Sequence, residues 1–159
     1  MTFVFAARCA DGVVVASDRR VVLDHSILGT DQEKIFDLGH RIVVSGCTSS
    51  VGIWHEFAQG IRGMLEKSEF SGIAEVVRHA GSLLQPLWER YRDVFPKDRP
   101  RLDVVLAGLD RLTSGAAELY SLEAGGYSQQ VSFLCYGHGG VYAHSLARAF
   151  WDARASVDL

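Results

Sequence analysis

The feature that most limits this chain's fold is the order in which its hydrophobic period changes. From Ser49 to Lys67 the apolar residues Ile53, Trp54, Phe57, Ile61, Met64 and Leu65 recur at helical spacing. From Ile73 to Tyr91 the residues Val76, Val77, Ala80, Leu83, Leu84, Leu87 and Trp88 do the same. Both stretches predict amphipathic helices, the first capped by Ser49 or Ser50. Pro86, which lacks the N–H that an interior turn uses, is expected to kink or split the second. Strand-like patterning lies on either side of this pair. Thr2 to Cys9 and Val13 to Ser17 flank the turn signal Asp11-Gly12, and the wholly apolar run Val13 to Ser17 is expected to be buried on both faces. Glu33 to Leu38 and Arg41 to Ser45 flank Gly39-His40 as a second hairpin. After the polar connection Pro96 to Arg101, strands are predicted at Leu102 to Leu109, Ala117 to Leu122 and Tyr127 to Leu134, with a turn at Gly125-Gly126. A last helix is expected from about Gly139-Gly140 to Ala153. Grouped strands and grouped helices fit sheets covered by helical layers rather than an alternating parallel α/β fold.

Bulk properties narrow the function without naming it. A chain of 159 residues, with 48% hydrophobic and 22% charged residues, fits one domain spanning 1–159 with a continuous core. The net charge of -3 gives no basic face for a nucleic acid. No apolar run is long enough to cross a bilayer, and the N-terminus lacks the pattern of a secretory signal. Cys9, Cys47 and Cys135 form no CxxC pair and read as reduced thiols of a cytoplasmic protein. His138 and His144 stand six apart, a poor fit to one helix face, so no metal site or other cofactor is expected.

Thr2 is the residue with the most chemical potential. A threonine hydroxyl is a weak nucleophile until a base takes its proton, and a threonine at the chain's start can use its own α-amine. That amine has an ordinary pKa of about 7.7–8.0, so a nearby cation readily leaves it neutral. Removal of Met1 would create this group; a retained Met1 would leave an amide and no built-in base. Read on their own, Asp18 and Lys34 are a structural ion pair on adjacent strands, Gly46 is a strand-end glycine, and Asp18-Arg19-Arg20 is a solvated turn.

Their joint spacing resembles the proteasome β-subunits and HslV-type peptidases, the N-terminal-nucleophile hydrolases. In that family an N-terminal threonine opens a strand, and a D/N-G hairpin, an aspartate and a lysine follow in order. Here Asp18 lies 16 positions and Lys34 32 positions beyond Thr2, and Gly46 lies 12 beyond Lys34. The segment YGHGGVYAHSLARAF (Tyr136 to Phe150) is similar to the family's glycine-rich opening of a helix, and LDVVLAGLD and AAELYSLEAGG resemble its middle strands. The resemblance implies an α+β fold of two stacked, mostly antiparallel sheets between helical layers (αββα). The family continues past the last helix, so the C-terminal part reads as shortened. It also implies a threonine-type peptidase subunit in which Thr2 attacks and Lys34 lowers the pKa of the nucleophile and amine. Asp18 would hold Lys34, and the Gly46 N–H would bind the oxyanion. Arg20 and Val21 are weaker candidates for pairing with an extended substrate. His138 stands where the family has a serine that organises bonds around the amine. The resemblance also implies peptides or unfolded proteins as substrate, a homo-oligomeric ring, and room for an ATPase unfoldase as partner. Two alternatives stay open: a non-catalytic ring subunit, and an acyl transferase using the same threonine.

Overall fold

The computed structural model describes residues 3–23, 26–29, 31–48, 50–94, 102–110, 115–137, 139–152, 154 and 156–157, with the backbone alone at 21–23, 26–28, 94 and 150. Thr2, His138 and the connection Pro96 to Arg101 lie outside them.

Two short β-formers open the chain. β1 (Phe3–Arg8) and β2 (Val13–Ser17) turn around Asp11-Gly12, and the Cys9 N–H donates to the Gly12 carbonyl at 2.8 Å. β3 (Val21–Leu23) and β4 (Ser26–Gly29) form a separate two-stranded ribbon. β5 (Ile35–Asp37) and β6 (Ile42–Thr48) follow, then α1 (Val51–Leu65), α2 (Ile73–Val94), β7 (Leu102–Leu109), β8 (Ala117–Leu122), β9 (Ser128–Gln130), β10 (Phe133–Gly137) and α3 (Gly140–Phe150). One sheet has the order β10-β1-β2 and another β5-β6-β7-β8-β9, with every pairing antiparallel.

The pleat sorts the core into two layers. On one face of the five-stranded sheet, Ile42, Val44, Leu102, Val104 and Leu106 meet Ile53, Phe57 and Ile61 of α1 and Val76, Ala80 and Leu84 of α2. On the other face, Val105, Ala107 and Leu119 meet Val4, Ala6 and Leu134 of the three-stranded sheet. Alternation along β7 thus feeds both layers from one strand. Burying each of the large side chains of α1 contributes about 1.5–3 kcal/mol. α3 covers the outer face of β1 and β10, where His144 stacks on Phe133 with ring centroids 4.9 Å apart. The layering is helix, sheet, sheet, helix.

Several local expectations are corrected. Tyr127 to Leu134 is two strands in different sheets: the Val131 N–H still donates to Leu119, while the Ser132 carbonyl already accepts from Arg8. The chain changes sheets between those two residues, a step that local composition does not mark. β2 is an edge strand with one face in the core, and Val14 on its other face is 39% exposed. α2 runs as one helix through Pro86 instead of splitting there. Ser50 occupies the N-cap position of α1 without a side-chain cap; instead the Thr48 hydroxyl accepts the Ser50 N–H at 3.1 Å. α3 ends at Phe150, where Trp151 turns extended and stacks on Phe133.

Candidate active site

The site is assembled where β2 ends beside the start of β1. The Asp18 N–H donates to the Phe3 carbonyl at 3.2 Å, and the Phe3 N–H returns a bond to Asp18 Oδ1 at 2.7 Å. The Arg20 N–H donates to Asp18 Oδ2 at 3.1 Å. The carboxylate is therefore fixed by backbone on both oxygens. The chain returns along this turn: the Gln32 N–H donates to the Arg19 carbonyl at 2.9 Å, and Arg19 pairs with Asp31 on the surface.

This return delivers Lys34 to the turn's inner side. Its side chain is only 7% exposed, and Nζ donates to Asp18 Oδ1 at 3.0 Å and to the Arg20 carbonyl at 2.6 Å. A buried ammonium is tolerated only with such partners. Burial alone would push the Asp18 carboxyl up, but the Phe3 N–H, Lys34 and the Arg20 N–H outweigh it and hold the group below the ordinary carboxylate range. The cation is thus tied, through one carboxylate oxygen, to the residue that follows position 2.

Gly46 lies in β6, opposite Val104 of β7. The Ile42 carbonyl accepts from Leu38 on the β5 side, and the Arg41 carbonyl accepts from Leu109 on the β7 side. Counting by two, Val44 and Gly46 turn their backbone groups toward β5, so the Gly46 N–H points to the end of that strand where Lys34 enters. The missing side chain also has a packing cause. A Cβ at Gly46 would stand 2.7 Å from the Trp54 ring and 2.8 Å from the Asp103 carbonyl.

Among the sequence-derived residues, the fold brings Asp18, Lys34 and the Arg20 backbone together and turns the Gly46 peptide toward them. Arg20 contributes through its N–H and carbonyl, both engaged with the ion pair. Val21 begins β3, where it pairs with Gly29, the last residue of β4. Thr2 and His138 fall outside the described residues, but their neighbours converge: Phe3 pairs with Gly137 across β1 and β10. Two contacts were not anticipated. Ser45, wholly buried, donates its hydroxyl to the Lys34 carbonyl at 2.9 Å. Gln32 Nε2 and His55 Nε2 lie 2.9 Å apart, tying the Lys34 segment to α1. The one signal for Ser45 is a hydroxyl directly after the apolar run Ile42 to Val44. A cavity of 650 Å³ lined by His40, Leu65, Phe70 and Ile73 lies at the opposite end of β6, away from this cluster. Among the described residues, no three His, Cys, Asp or Glu side chains gather as a metal site, and no helix is long and apolar enough to cross a membrane.

A family model described as Proteasome subunit matches residues 2–158. A proteasome subunit beta from Methanocella paludicola is 27% identical over 153 residues, covering 94% of this chain and 69% of the relative.

Proposed function

The chain belongs to the proteasome subunit family, and on that premise we propose that it is a threonine-type peptidase once Met1 is removed. The observation that carries the reading is the buried Lys34 ammonium, clamped by Asp18 and the Arg20 carbonyl next to Phe3. A fixed cation beside a newly freed α-amine disfavours protonation of that amine and leaves it able to act as a base. Thr2 Oγ attacks the scissile carbonyl while its proton passes to the α-amine, through a water. The Gly46 N–H stabilises the oxyanion. The proton then goes to the leaving amine as the peptide bond breaks, and a water releases the second product from the Thr2 ester. Asp18 keeps Lys34 in place.

On the same reading residues 1–159 act as one domain within a ring of like subunits in the cytoplasm. Unfolded protein is the substrate, and an ATPase unfoldase feeds the chamber. The β3 edge at Val21 is the place where an extended substrate pairs. A second reading, a non-catalytic ring subunit, is favoured by His138 standing where the family has serine. Hydrolysis of an unfolded substrate such as casein separates the two. The peptidase reading predicts turnover by the assembled protein and its loss in Thr2→Ala. Turnover equal in both proteins, or absent from a correctly processed ring, removes that reading in favour of the second.

A further inference from the structure

We propose that Ser45 is a positioning residue for Lys34, an assignment that rests on the reading of Lys34 as the cation of the site. Among the described residues, Ser45 and Lys34 are the only polar side chains buried in the protein interior. Ser45 is on β6, opposite Ile35, the first residue of β5. Lys34 stands one residue before the β5 ladder begins, so strand pairing alone does not fix its peptide. The Ser45 hydroxyl does this instead, donating to the Lys34 carbonyl at 2.9 Å from a site with no exposure.

The choice of serine is informative. Val43, on the same face of β6, packs into the apolar layer between the sheets. Alanine or valine at position 45 would suit that layer without the cost of burying a hydroxyl. The serine holds the peptide from which the Lys34 side chain reaches both Asp18 Oδ1 and the Arg20 carbonyl. The lysine is anchored at both ends, by its carbonyl to Ser45 and by its ammonium to the Asp18 turn.

The test uses the full-length protein and compares wild type with Ser45→Ala and Ser45→Thr. An amine-acetylating reagent is applied, and its rate at Lys34 is read by mass spectrometry against exposed Lys67. Ser45→Ala is expected to raise Lys34 acetylation about fivefold relative to Lys67, and Ser45→Thr, which keeps a hydroxyl, to restore the wild-type rate. Ser45→Cys, nearly isosteric with a weak donor, replaces the alanine variant if that one does not fold, and an intermediate rise is expected. Lys34 acetylation unchanged in these variants overturns the proposal. So does a rise matched by equal new alkylation of buried Cys47, which reports general loosening. In peptide hydrolysis, the acid limb of the kcat profile is expected to move to higher pH in Ser45→Ala with KM unchanged. A wild-type protein without turnover removes the hydrolase reading, while the acetylation rates still decide whether Ser45 positions Lys34.

Discussion

Lys34 and Asp18 meet through a single oxygen: Asp18 Oδ1 receives the Lys34 ammonium at 3.0 Å and also the Phe3 N–H at 2.7 Å. One atom therefore couples a buried cation to the backbone beside the chain's second residue. This coupling gives the site properties that differ from those of a surface ion pair of the Arg19–Asp31 kind.

Removing the cation should cost both stability and activity. Lys34→Met keeps the buried stem but leaves Asp18 and the Arg20 carbonyl without their donor. Breaking a fully buried pair costs about 3–5 kcal/mol; here Asp18 is 33% exposed, so about 2 kcal/mol is expected in urea unfolding. On the proposed mechanism, peptide turnover at pH 7 falls by about tenfold or more as the α-amine returns to its ordinary pKa of about 7.7–8.0.

Asp18 also sets an acid limit. Its carboxyl is held below its ordinary range in the fold, so the unfolded chain takes up its proton first as pH falls. The stabilisation it gives is fully present above about pH 4, the unfolded value, and is lost as pH falls through the lower folded value. Asp18→Asn should lower the Tm at pH 7, and the gap to wild type should narrow below about pH 4. A gap that stays constant down to pH 2 contradicts this account.

A side chain at position 46 should not be accommodated freely. Gly46→Ala drives a methyl into the Trp54 ring and the Asp103 carbonyl, and overpacking of this kind costs about 1–3 kcal/mol. Trp54 fluorescence should shift with it. Adding Trp54→Leu should recover only part of the loss, because the Asp103 carbonyl belongs to the backbone and stays in place.

Gly81→Ala provides a test with an inverted sign. Alanine in a helix interior usually gains about 0.5–1 kcal/mol over glycine. In α2, however, a Cβ on Gly81 would lie 2.6 Å from the Gly126 carbonyl, in a turn whose φ of 81° itself favours glycine. Thermal unfolding should therefore show a net loss. A more stable Gly81→Ala protein would mean that helix and turn do not meet this closely.

Much of the fold was legible from residue pattern. The bounds predicted for β7 and β8 coincide with those observed: β7 is a mostly apolar run after the polar Pro96 to Arg101 segment, and β8 is a mixed stretch that ends ahead of the Gly125-Gly126 turn. The helical stripes of α1 and α2 name the residues that reach the core, except Trp88, whose ring lies under Arg92 instead. What escaped depends on tertiary placement. Nothing local tells Val131 and Ser132 that they join different sheets, or tells β2 that it lies at an edge. Pro86 sits in a helix whose packing against α1 and the sheet holds it together across the missing hydrogen bond. At the site, spacing pointed to Asp18 and Lys34, and the pair is formed. Ser45 and the Phe3 N–H act through backbone contacts, which side-chain motifs do not record.

The central claim is that position 2 carries a free, cation-tuned amine beside its own hydroxyl. The most direct measurement is the mass of the intact assembled protein before and after treatment with an epoxyketone, a reagent that bonds both groups of an N-terminal threonine. The account predicts a starting mass lacking Met1, one adduct per chain mapped to Thr2, and no adduct in Lys34→Met. A protein that retains Met1, or one that is processed and assembled yet takes up no reagent, contradicts it.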